Sequence, residues 1–242
     1  MSILRFVIFN TVSWVTVIIW GLTVLLTAPF GHKYPYAIAR NWVGVVRKLL
    51  NWICGLSYRV EGKENFPEQP CVMFIKHSSA LETFVQIGEF PRACWVLKEE
   101  LMWVPFFGWA LRALQAIAID RSAGSAAVKQ VVEQGTQRLA DGICVSVFPE
   151  GTRMPPGKTK RYGIGGTLLA KESGAPIVPI AHNAGYHWPR RTRSIKPGEV
   201  VFVIGKPVTV GDRDPKAVNT EIQNWMESEV ARIVSQGEGR AA

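Results

Sequence analysis

His77 and Glu82 are separated by four residues, and His77 lies just beyond the end of an apolar run. Residues 71–75 predict a buried strand, and the residues after Ser79 predict a helix whose first turn a serine can cap. His77 therefore stands where a strand meets a helix, a position from which a rigid sheet presents a side chain to a cleft.

The two side chains can act together only if the chain turns between them. Five residues along a helix correspond to about 140° of rotation, so one continuous helix would hold His77 and Glu82 apart. With a turn, Glu82 fixes the imidazole tautomer, stabilises the imidazolium and makes His77 a better general base. Taken alone, the simpler interpretation is a partly exposed histidine beside an unrelated acid.

A second candidate segment, Phe148-Pro149-Glu150-Gly151-Thr152-Arg153, also comes directly after an apolar strand. Gly151 permits close approach of a ligand to the backbone, Thr152 offers a hydroxyl, and the planar guanidinium of Arg153 suits a phosphate. Glu150 would repel a phosphate, so we expect it to orient a neighbouring base or a substrate hydroxyl. An ordinary turn at the end of a strand is the competing interpretation.

Two further cations, Lys98 and Arg121, each come directly after a predicted strand. Ligands collect at the carboxyl ends of strands in an α/β sheet, so a cleft with His77, Lys98, Arg121 and Arg153 would suit an anionic substrate. Most of the excess positive charge lies between residues 153 and 196, which favours anionic lipid headgroups or an acidic carrier protein. Solvated surface charges are the alternative.

The N-terminal region has the composition of a membrane anchor. Residues 6–30 carry no charged side chain. A helix of this length can cross a bilayer, and Trp14 and Trp20 are suited to the membrane interface. Residues 35–56 predict a second helix. Its Arg40, Arg47 and Lys48 could face lipid phosphates, or the helix could instead cover the core of the next domain.

The remaining chain alternates strands and helices, which predicts an α/β domain with a mixed sheet flanked by helices. Ser122 and Gly142 are expected to bound one helix, and Asp214-Pro215 to begin the last one. We expect an anchor at 1–56, a catalytic domain at 57–236 and a frayed tail at 237–242. The predicted strands are residues 56–60, 71–75, 93–97, 116–119, 143–148, 177–181 and 200–204.

Several classes of protein are disfavoured by the sequence. Residues 151–159 resemble a P-loop, but have five residues between the glycines and contain two prolines. No G-x-S-x-G elbow supports a serine hydrolase, and the histidines lack zinc-site spacing. The scattered cysteines indicate buried, reduced thiols. We therefore expect no metal and no cofactor.

Four blocks in order resemble the membrane-bound glycerolipid acyltransferases, in particular the bacterial 1-acyl-sn-glycerol-3-phosphate acyltransferases. The first block is His77 to Glu82, where aspartate is the commoner acid. The second runs from Lys98 through Pro105-Phe106-Phe107-Gly108 to Arg121, and the third is residues 148–153. The fourth is Ile177-Val178-Pro179-Ile180. The resemblance covers about residues 70–185 and also fits an N-terminal anchor.

The resemblance implies a reaction and a set of site residues. His77 would take the proton from the sn-2 hydroxyl of lysophosphatidic acid, whose oxygen then attacks the thioester of acyl-CoA or acyl-acyl carrier protein, while Glu82 orients His77. The family would use no covalent acyl-enzyme. The substrate-binding residues implied are Lys98, Arg121, Glu150, Gly151, Thr152, Arg153 and Pro179.

Other functions are also compatible with the sequence. The same fold could acylate glycerol-3-phosphate, another lysophospholipid or a lyso-aminolipid, or the chain could be a non-catalytic binder of membrane lipid or acyl carrier protein. Binding to nucleic acid fits an anchored chain poorly. We expect a location at the cell inner membrane, against its phospholipid surface, with the catalytic domain on the cytoplasmic face.

Overall fold

The computed structural model describes residues 3–239, apart from the side chains of Arg121 and Glu238. The helices are α1 (Ile3–Thr27), α2 (Lys33–Cys54), α3 (Leu81–Glu89), α4 (Phe107–Ala113), α5 (Ser125–Ala140), α6 (Gly165–Ser173), α7 (Ala184–His187) and α8 (Pro215–Gly239). The strands are β1 (Leu56–Glu61), β2 (Val72–Ile75), β3 (Ala93–Lys98), β4 (Ile117–Ile119), β5 (Cys144–Val147), β6 (Ile177–His182) and β7 (Gly198–Ile204). Short 3-10 turns occupy Ala28–Phe30, Lys63–Asn65, Glu99–Trp103 and Arg121–Ala123.

Within the described residues, the strands form one sheet in the order β1-β7-β6-β2-β5-β3-β4. The neighbouring strands are parallel except β6 and β7, which pair antiparallel. The predicted mixed α/β sheet is therefore confirmed. β2 lies at the centre, between β5 and β6, so the residues just past its carboxyl end are supported on both sides.

The strand β2 is buried along its whole length because helices cover both faces of the sheet. The helix α6 lies very close to it at Gly166, where a Cβ atom would stand 2.5 Å from the Phe74 ring. Only glycine permits this approach, which brings the helix directly onto the sheet. The absence of a side chain at Gly166 therefore sets the distance between α6 and β2.

Two predicted helix boundaries have different outcomes. Asp214 accepts the backbone N–H groups of Lys216 and Ala217, as expected for the start of α8. The prediction that Ser122 caps α5 is wrong, because α5 begins at Ser125 and the Ser122 hydroxyl instead donates to the Asp120 carboxylate at 2.7 Å. The helix α8 extends through residues 237–239, and residues 240–242 of the expected tail lie outside the described chain.

The helices α1 and α2 pack against each other as a hairpin. The indole of Trp20 donates to Asn41 at 3.1 Å, and that of Trp42 donates to Thr16 at 3.0 Å. The segment Ile3–Phe30 is long and apolar enough to cross a membrane, with a mean hydropathy of 1.8 and 11% of its most apolar window buried. This segment therefore presents a largely apolar outer surface.

The helix α2 covers the core of the sheet with Val43, Val46 and Leu50, all buried. Arg40 is exposed, and its guanidinium donates to the carbonyls of Ile87 and Phe90 at 3.0 and 2.6 Å. These carbonyls lie at the end of α3, where a cation complements the helix dipole. The helix α2 therefore covers the core with one face, while Arg40, Arg47 and Lys48 lie on its exposed face.

The N-terminal helices share a core with the rest of the chain. Phe9 of α1 is 1% exposed, and its ring meets that of Trp188 edge-on at 5.6 Å between centroids. Leu50 and Cys54 belong to the same apolar cluster as residues of β2 and β6. The expected boundary at residue 56 is therefore spanned by continuous packing. All four cysteines are buried free thiols, as expected.

Candidate active site

His77 lies two residues beyond the carboxyl end of β2. The last hydrogen bond between this end of β2 and β6 is donated by the Lys76 N–H to the Ile180 carbonyl at 3.1 Å. The chain then leaves the sheet, and the His77 side chain remains 15% exposed. A histidine in this position reaches a cleft while its backbone stays attached to the rigid sheet.

The chain turns between His77 and Glu82, as the expected pairing requires. The helix α3 begins only at Leu81, so residues 77–80 form a turn that carries the Glu82 carboxylate back to the imidazole. His77 Nδ1 and Glu82 Oε1 are 2.8 Å apart. Because an ionised carboxylate only accepts hydrogen bonds, Nδ1 carries the proton and Nε2 is left as the base.

Glu82 is held by backbone donors as well as by the imidazole. Its side chain is fully buried. Oε1 accepts the N–H groups of Ser78 and Ser79 at 3.1 and 3.0 Å, and Oε2 accepts the Ser79 N–H at 2.9 Å. These donors and the imidazole together hold the carboxylate in one position. The arrangement keeps a negative charge behind His77, where it would stabilise an imidazolium.

The His77 ring also stacks on the Phe148 ring, with centroids 4.1 Å apart and planes inclined by 22°. Phe148 begins the third block and comes directly after β5. The aromatic contact and the Glu82 hydrogen bond together limit rotation of the imidazole. Nε2 therefore faces a defined direction.

The third block also clamps the His77 backbone. The His77 N–H donates to Glu150 Oε2 at 2.7 Å, and the His77 carbonyl accepts the Met154 N–H at 2.7 Å. Glu150 Oε1 accepts from the Lys76 ammonium at 2.7 Å, and the Glu150 side chain is fully buried. Burial raises the pKa of Glu150, although the positive charge of Lys76 opposes the change.

This placement corrects the expectation that Glu150 contacts substrate. Both of its oxygens are directed to protein groups, and its side chain has no exposed surface. The alternative that Glu150 orients a neighbouring base agrees with the geometry, since its partner is the His77 peptide. In this structure Glu150 thus holds the His77 backbone and the Lys76 ammonium.

Gly151 turns the chain beside the site. It adopts a left-handed φ of 69°, and its N–H donates to the Phe148 carbonyl at 2.9 Å. Thr152 is exposed, and its hydroxyl oxygen accepts from Arg190 at 3.4 Å. Arg153 is partly exposed and directly precedes the residue that binds the His77 carbonyl. These residues remain candidates for binding an anionic group.

Lys98 and Arg121 lie at the ends of strands that are two and three positions away from β2. Lys98 ends β3, is about half exposed and lies 3.4 Å from Glu100 Oε1. The Arg121 backbone begins the turn after β4, while its side chain lies outside the described part of the structure. Both residues occupy the edge of the sheet where His77 lies, because the intervening strands are parallel.

Pro179 does not lie in the cleft. It is buried within β6, paired with Phe74 of β2, and its carbonyl accepts the Gly205 N–H at 2.8 Å. The antiparallel pairing with β7 begins one residue later, at Ile180. A proline is tolerated there because no ladder partner among the described strands requires its missing N–H. The expected substrate contact of Pro179 is thus replaced by a role in the sheet.

A second histidine, His182, lies behind Glu82 and was missed from the sequence. Its Nε2 is 2.7 Å from the Lys76 carbonyl and 3.7 Å from Glu82 Oε2, and its Nδ1 accepts the Ala184 N–H at 3.2 Å. Nε2 is consequently the protonated nitrogen. Burial lowers the pKa of His182, against the opposing charge of Glu82. Its position at the end of a predicted apolar strand, like that of His77, is the sequence feature from which His182 could have been predicted.

Across residues 3–239, no group of three or more histidine, cysteine, aspartate or glutamate side chains could hold a metal ion. The chemistry available at this edge of the sheet is that of a carboxylate-oriented imidazole base. Cationic residues flank it on neighbouring strand ends.

Comparison with known proteins identifies the family of this chain. The sequence model of the family described as Acyltransferase matches residues 57–183. A 1-acyl-sn-glycerol-3-phosphate acyltransferase from Pseudomonas aeruginosa is 40% identical over 236 residues, which cover 95% of this chain and 91% of that protein. The chain belongs to the acyltransferase family. The limits of the family match enclose all four sequence blocks.

More distant relatives extend the comparison. An enzyme of the same name from Cocos nucifera is 27% identical, over 86% of this chain and 68% of its own length. The crystal structure of a 1-acyl-sn-glycerophosphate acyltransferase from Thermotoga maritima matches with a TM-score of 0.79 and 21% identity, covering 95% of this chain and 96% of that one. The latter similarity establishes a shared fold over nearly the whole of both chains.

Proposed function

We propose that this acyltransferase transfers a fatty acyl group to the sn-2 hydroxyl of 1-acyl-sn-glycerol-3-phosphate and forms phosphatidic acid. The observation that carries the proposal is the 2.8 Å contact between His77 Nδ1 and the buried Glu82 carboxylate, which leaves Nε2 as a base at the mouth of the site. The 40% identity to the Pseudomonas enzyme supports the choice of acceptor.

His77 is the general base of the proposed reaction. Nε2 takes the proton of the sn-2 hydroxyl while the hydroxyl oxygen attacks the thioester carbonyl carbon. The C–S bond of the resulting tetrahedral intermediate then breaks, and the proton on Nε2 passes to the departing thiolate. Glu82 stabilises the imidazolium that exists between the two transfers. Acyl-CoA and acyl-acyl carrier protein both supply the required thioester.

We assign binding of the acceptor phosphate to the cationic residues beside His77. Arg153 is adjacent to the segment that clamps His77, and Gly151 and Thr152 form the turn before it. A guanidinium binds phosphate with two parallel hydrogen bonds. Lys98 and Arg121, at the carboxyl ends of β3 and of β4, are further candidates for the phosphates of either substrate.

The membrane is the proposed source of the lipid acceptor. The outer surface of α1 and the segment 101–109 expose large apolar side chains that water would not favour. We place the enzyme at the inner membrane with the sheet on its cytoplasmic side. The most exposed of these apolar residues are Ile3, Leu4, Trp14, Leu26 and Trp103.

The proposal is tested by acyl transfer with purified protein in mixed micelles. Oleoyl-CoA and oleoyl-acyl carrier protein are supplied in parallel with 1-oleoyl-sn-glycerol-3-phosphate, and phosphatidic acid is measured. We expect wild type to form it and His77→Ala to lose about 10²–10⁴-fold in rate. His187→Ala is the matched control, because this partly exposed histidine ends α7 and its ring lies 3.3 Å from the Lys196 carbonyl, outside the pair of His77 and Glu82.

Two results would overturn parts of the proposal. Product from glycerol-3-phosphate or lysophosphatidylcholine, with none from 1-oleoyl-sn-glycerol-3-phosphate, would replace the acceptor. Full activity of His77→Ala would remove the mechanism even if the acceptor were correct.

A further inference from the structure

The residue before His77 carries a buried cation. The Lys76 side chain is 5% exposed, and its ammonium lies 2.7 Å from Glu150 Oε1, 2.7 Å from Glu227 Oε1 and 3.3 Å from the Lys158 carbonyl. An ammonium has three N–H donors, so these three acceptors satisfy it. Lys76 consequently has no donor left for a substrate phosphate, although it adjoins the base.

Glu150 connects this cation to the site. One carboxylate oxygen accepts from Lys76, and the other accepts the His77 N–H at 2.7 Å. A buried carboxylate is stable only when its charge is compensated. Lys76 supplies the compensation, and thereby keeps Glu150 where it can hold the His77 peptide.

Glu227 lies on α8, far from the four sequence blocks, yet it reaches the same cation. Its side chain is 29% exposed, and Oε1 also accepts the Tyr162 hydroxyl at 3.3 Å. The neighbouring Met226 and Val230 are buried in or near the core, which fixes this turn of the helix. Glu227 is therefore a fixed partner of Lys76 and not a freely rotating surface group.

We propose that Glu227 and Lys76 are positioning residues for acyl transfer. Glu227 holds Lys76, Lys76 holds Glu150, and Glu150 holds the His77 peptide, so that the imidazole keeps its place between Glu82 and the acceptor. Each of these three links is 2.7 Å long. The inference rests on the proposed function, in which His77 is the base. A displacement of about 1 Å at a reacting group lowers the rate by about 10²-fold. Loss of one of these contacts would let the His77 imidazole shift and would therefore lower the rate of acyl transfer.

The first test does not require the acceptor to be known. Hydrogen–deuterium exchange of detergent-purified protein is measured in peptides that contain His77. Glu227→Ala should accelerate exchange of the His77 amide, because its acceptor Glu150 loses support. Glu227→Gln, which keeps the size of the side chain, should do so less. Unchanged exchange in both variants would overturn the proposal, whatever the enzyme acylates.

The matched control is Glu221→Gln. Glu221 lies on the same helix and forms an exposed ion pair with Arg213, remote from Lys76. We expect this variant to exchange at the wild-type rate around His77. Equal acceleration in Glu221→Gln and Glu227→Gln would show a general loosening of α8 and would contradict a specific chain of contacts.

The second test uses steady-state kinetics with whichever acceptor wild type acylates. Glu227→Ala should lower kcat about 10-fold while KM changes little, since the substrate contacts remain in place. In the Glu150→Gln background, Glu227→Gln should cause no further loss, because Glu227 acts through Glu150. Additive losses, or a change confined to KM, would overturn the proposal.

The two proposals fail in distinguishable ways. If wild type does not acylate 1-oleoyl-sn-glycerol-3-phosphate, the proposed function fails while the exchange experiment still tests the positioning chain. If wild type is active and Glu227→Ala matches it in both kcat and His77 exchange, the positioning chain fails alone.

Discussion

Gly185 lies so close to Ser78 that a Cβ atom on the glycine would stand 2.8 Å from both Cβ and Oγ of the serine. This contact joins α7 to the turn between His77 and Glu82, because the Ser78 N–H donates to Glu82 Oε1. The packing of a four-residue helix thus sets the position of a donor to the buried carboxylate.

Gly185→Ala should therefore reduce activity without abolishing the fold. The methyl group pushes Ser78 and shifts a hydrogen bond to Glu82, and such overpacking destabilises a protein by about 1–3 kcal/mol. We expect kcat to fall at least about 10-fold, measured beside thermal unfolding. Gly44→Ala is the control, because no atom lies within 4 Å of a Cβ at that position. Wild-type kcat in Gly185→Ala would contradict the role of this contact.

The charge of Glu82 should matter more than its length. Glu82→Gln removes the negative charge and brings an amide group to the Ser78 and Ser79 N–H donors, so we expect a loss of at least about 10²-fold in kcat. Glu82→Asp keeps the charge and should lose less. Rates of phosphatidic acid formation at one pH check the order of the two variants. A Glu82→Asp enzyme slower than Glu82→Gln would indicate that length, and not charge, is decisive.

Arg153 should contribute mainly to binding of the acceptor. Arg153→Ala removes a guanidinium proposed to bind the phosphate, and hydrogen bonds to charged groups contribute about 1.5–3 kcal/mol each. We expect KM for 1-oleoyl-sn-glycerol-3-phosphate to rise about 10- to 100-fold with a smaller change in kcat. Arg213→Ala is the control, since this arginine forms an exposed ion pair with Glu221. An unchanged KM in Arg153→Ala would exclude the assignment.

Glu89 links α3 to three other elements and should make the thermal stability of the protein depend on pH. It accepts from Tyr58 at 3.0 Å and from Lys63 at 2.6 Å, and Arg47 lies 3.9 Å away. Burial alone would raise the pKa of Glu89, but the hydrogen bonds from Lys63 and Tyr58 and the charges of Lys63 and Arg47 outweigh it and lower the pKa.

A carboxyl group with a lowered pKa binds fewer protons in the folded than in the unfolded state, so its stabilisation is present above the unfolded pKa of about 4.3. The stabilisation is lost as the pH falls through the lower folded pKa. Glu89→Gln should unfold at a lower temperature than wild type at pH 7, and the difference should shrink below about pH 4.3. Thermal unfolding at several pH values checks this. A difference that is independent of pH would contradict it.

Trp103 should strengthen attachment to a bilayer without taking part in chemistry. Its side chain is 78% exposed beside the apolar segment that leads into α4. Trp103→Ser should reduce binding to vesicles of phosphatidylethanolamine and phosphatidylglycerol, because less apolar surface enters the interface. Activity in mixed micelles, where substrate is presented in detergent, should stay near the wild-type value. Unchanged vesicle binding would place Trp103 away from the membrane.

The strands and the two central side chains could be predicted from the sequence for physical reasons. The strand at residues 71–75 is a continuous apolar run because both faces of β2 are buried, and the end of that run marked His77. Pairing of His77 with Glu82 required a turn between them, which the late start of α3 provides. Local pattern and local geometry carry all of this information.

The remaining site residues depend on contacts between distant parts of the chain. His182 and Glu227 reach the site from β6 and α8, and their spacing in sequence says nothing about the depth at which they lie. Pro179 and Glu150 were expected at the substrate because their blocks border the site, yet their side chains are turned into the protein. A block of residues predicts a location, while side-chain direction is decided by packing.

The ring contact between Phe9 and Trp188 has a practical consequence for anyone seeking a water-soluble fragment. Trp188 also stacks on Phe84 of α3, the helix that carries Glu82. Deleting α1 would remove Phe9 from this aromatic cluster and expose the side of α3 that packs against Trp188. A truncation that removes the apolar N-terminal segment should therefore destabilise the helix that carries Glu82. Preparations of the whole chain in detergent or nanodiscs are the better route to a sample with an intact site.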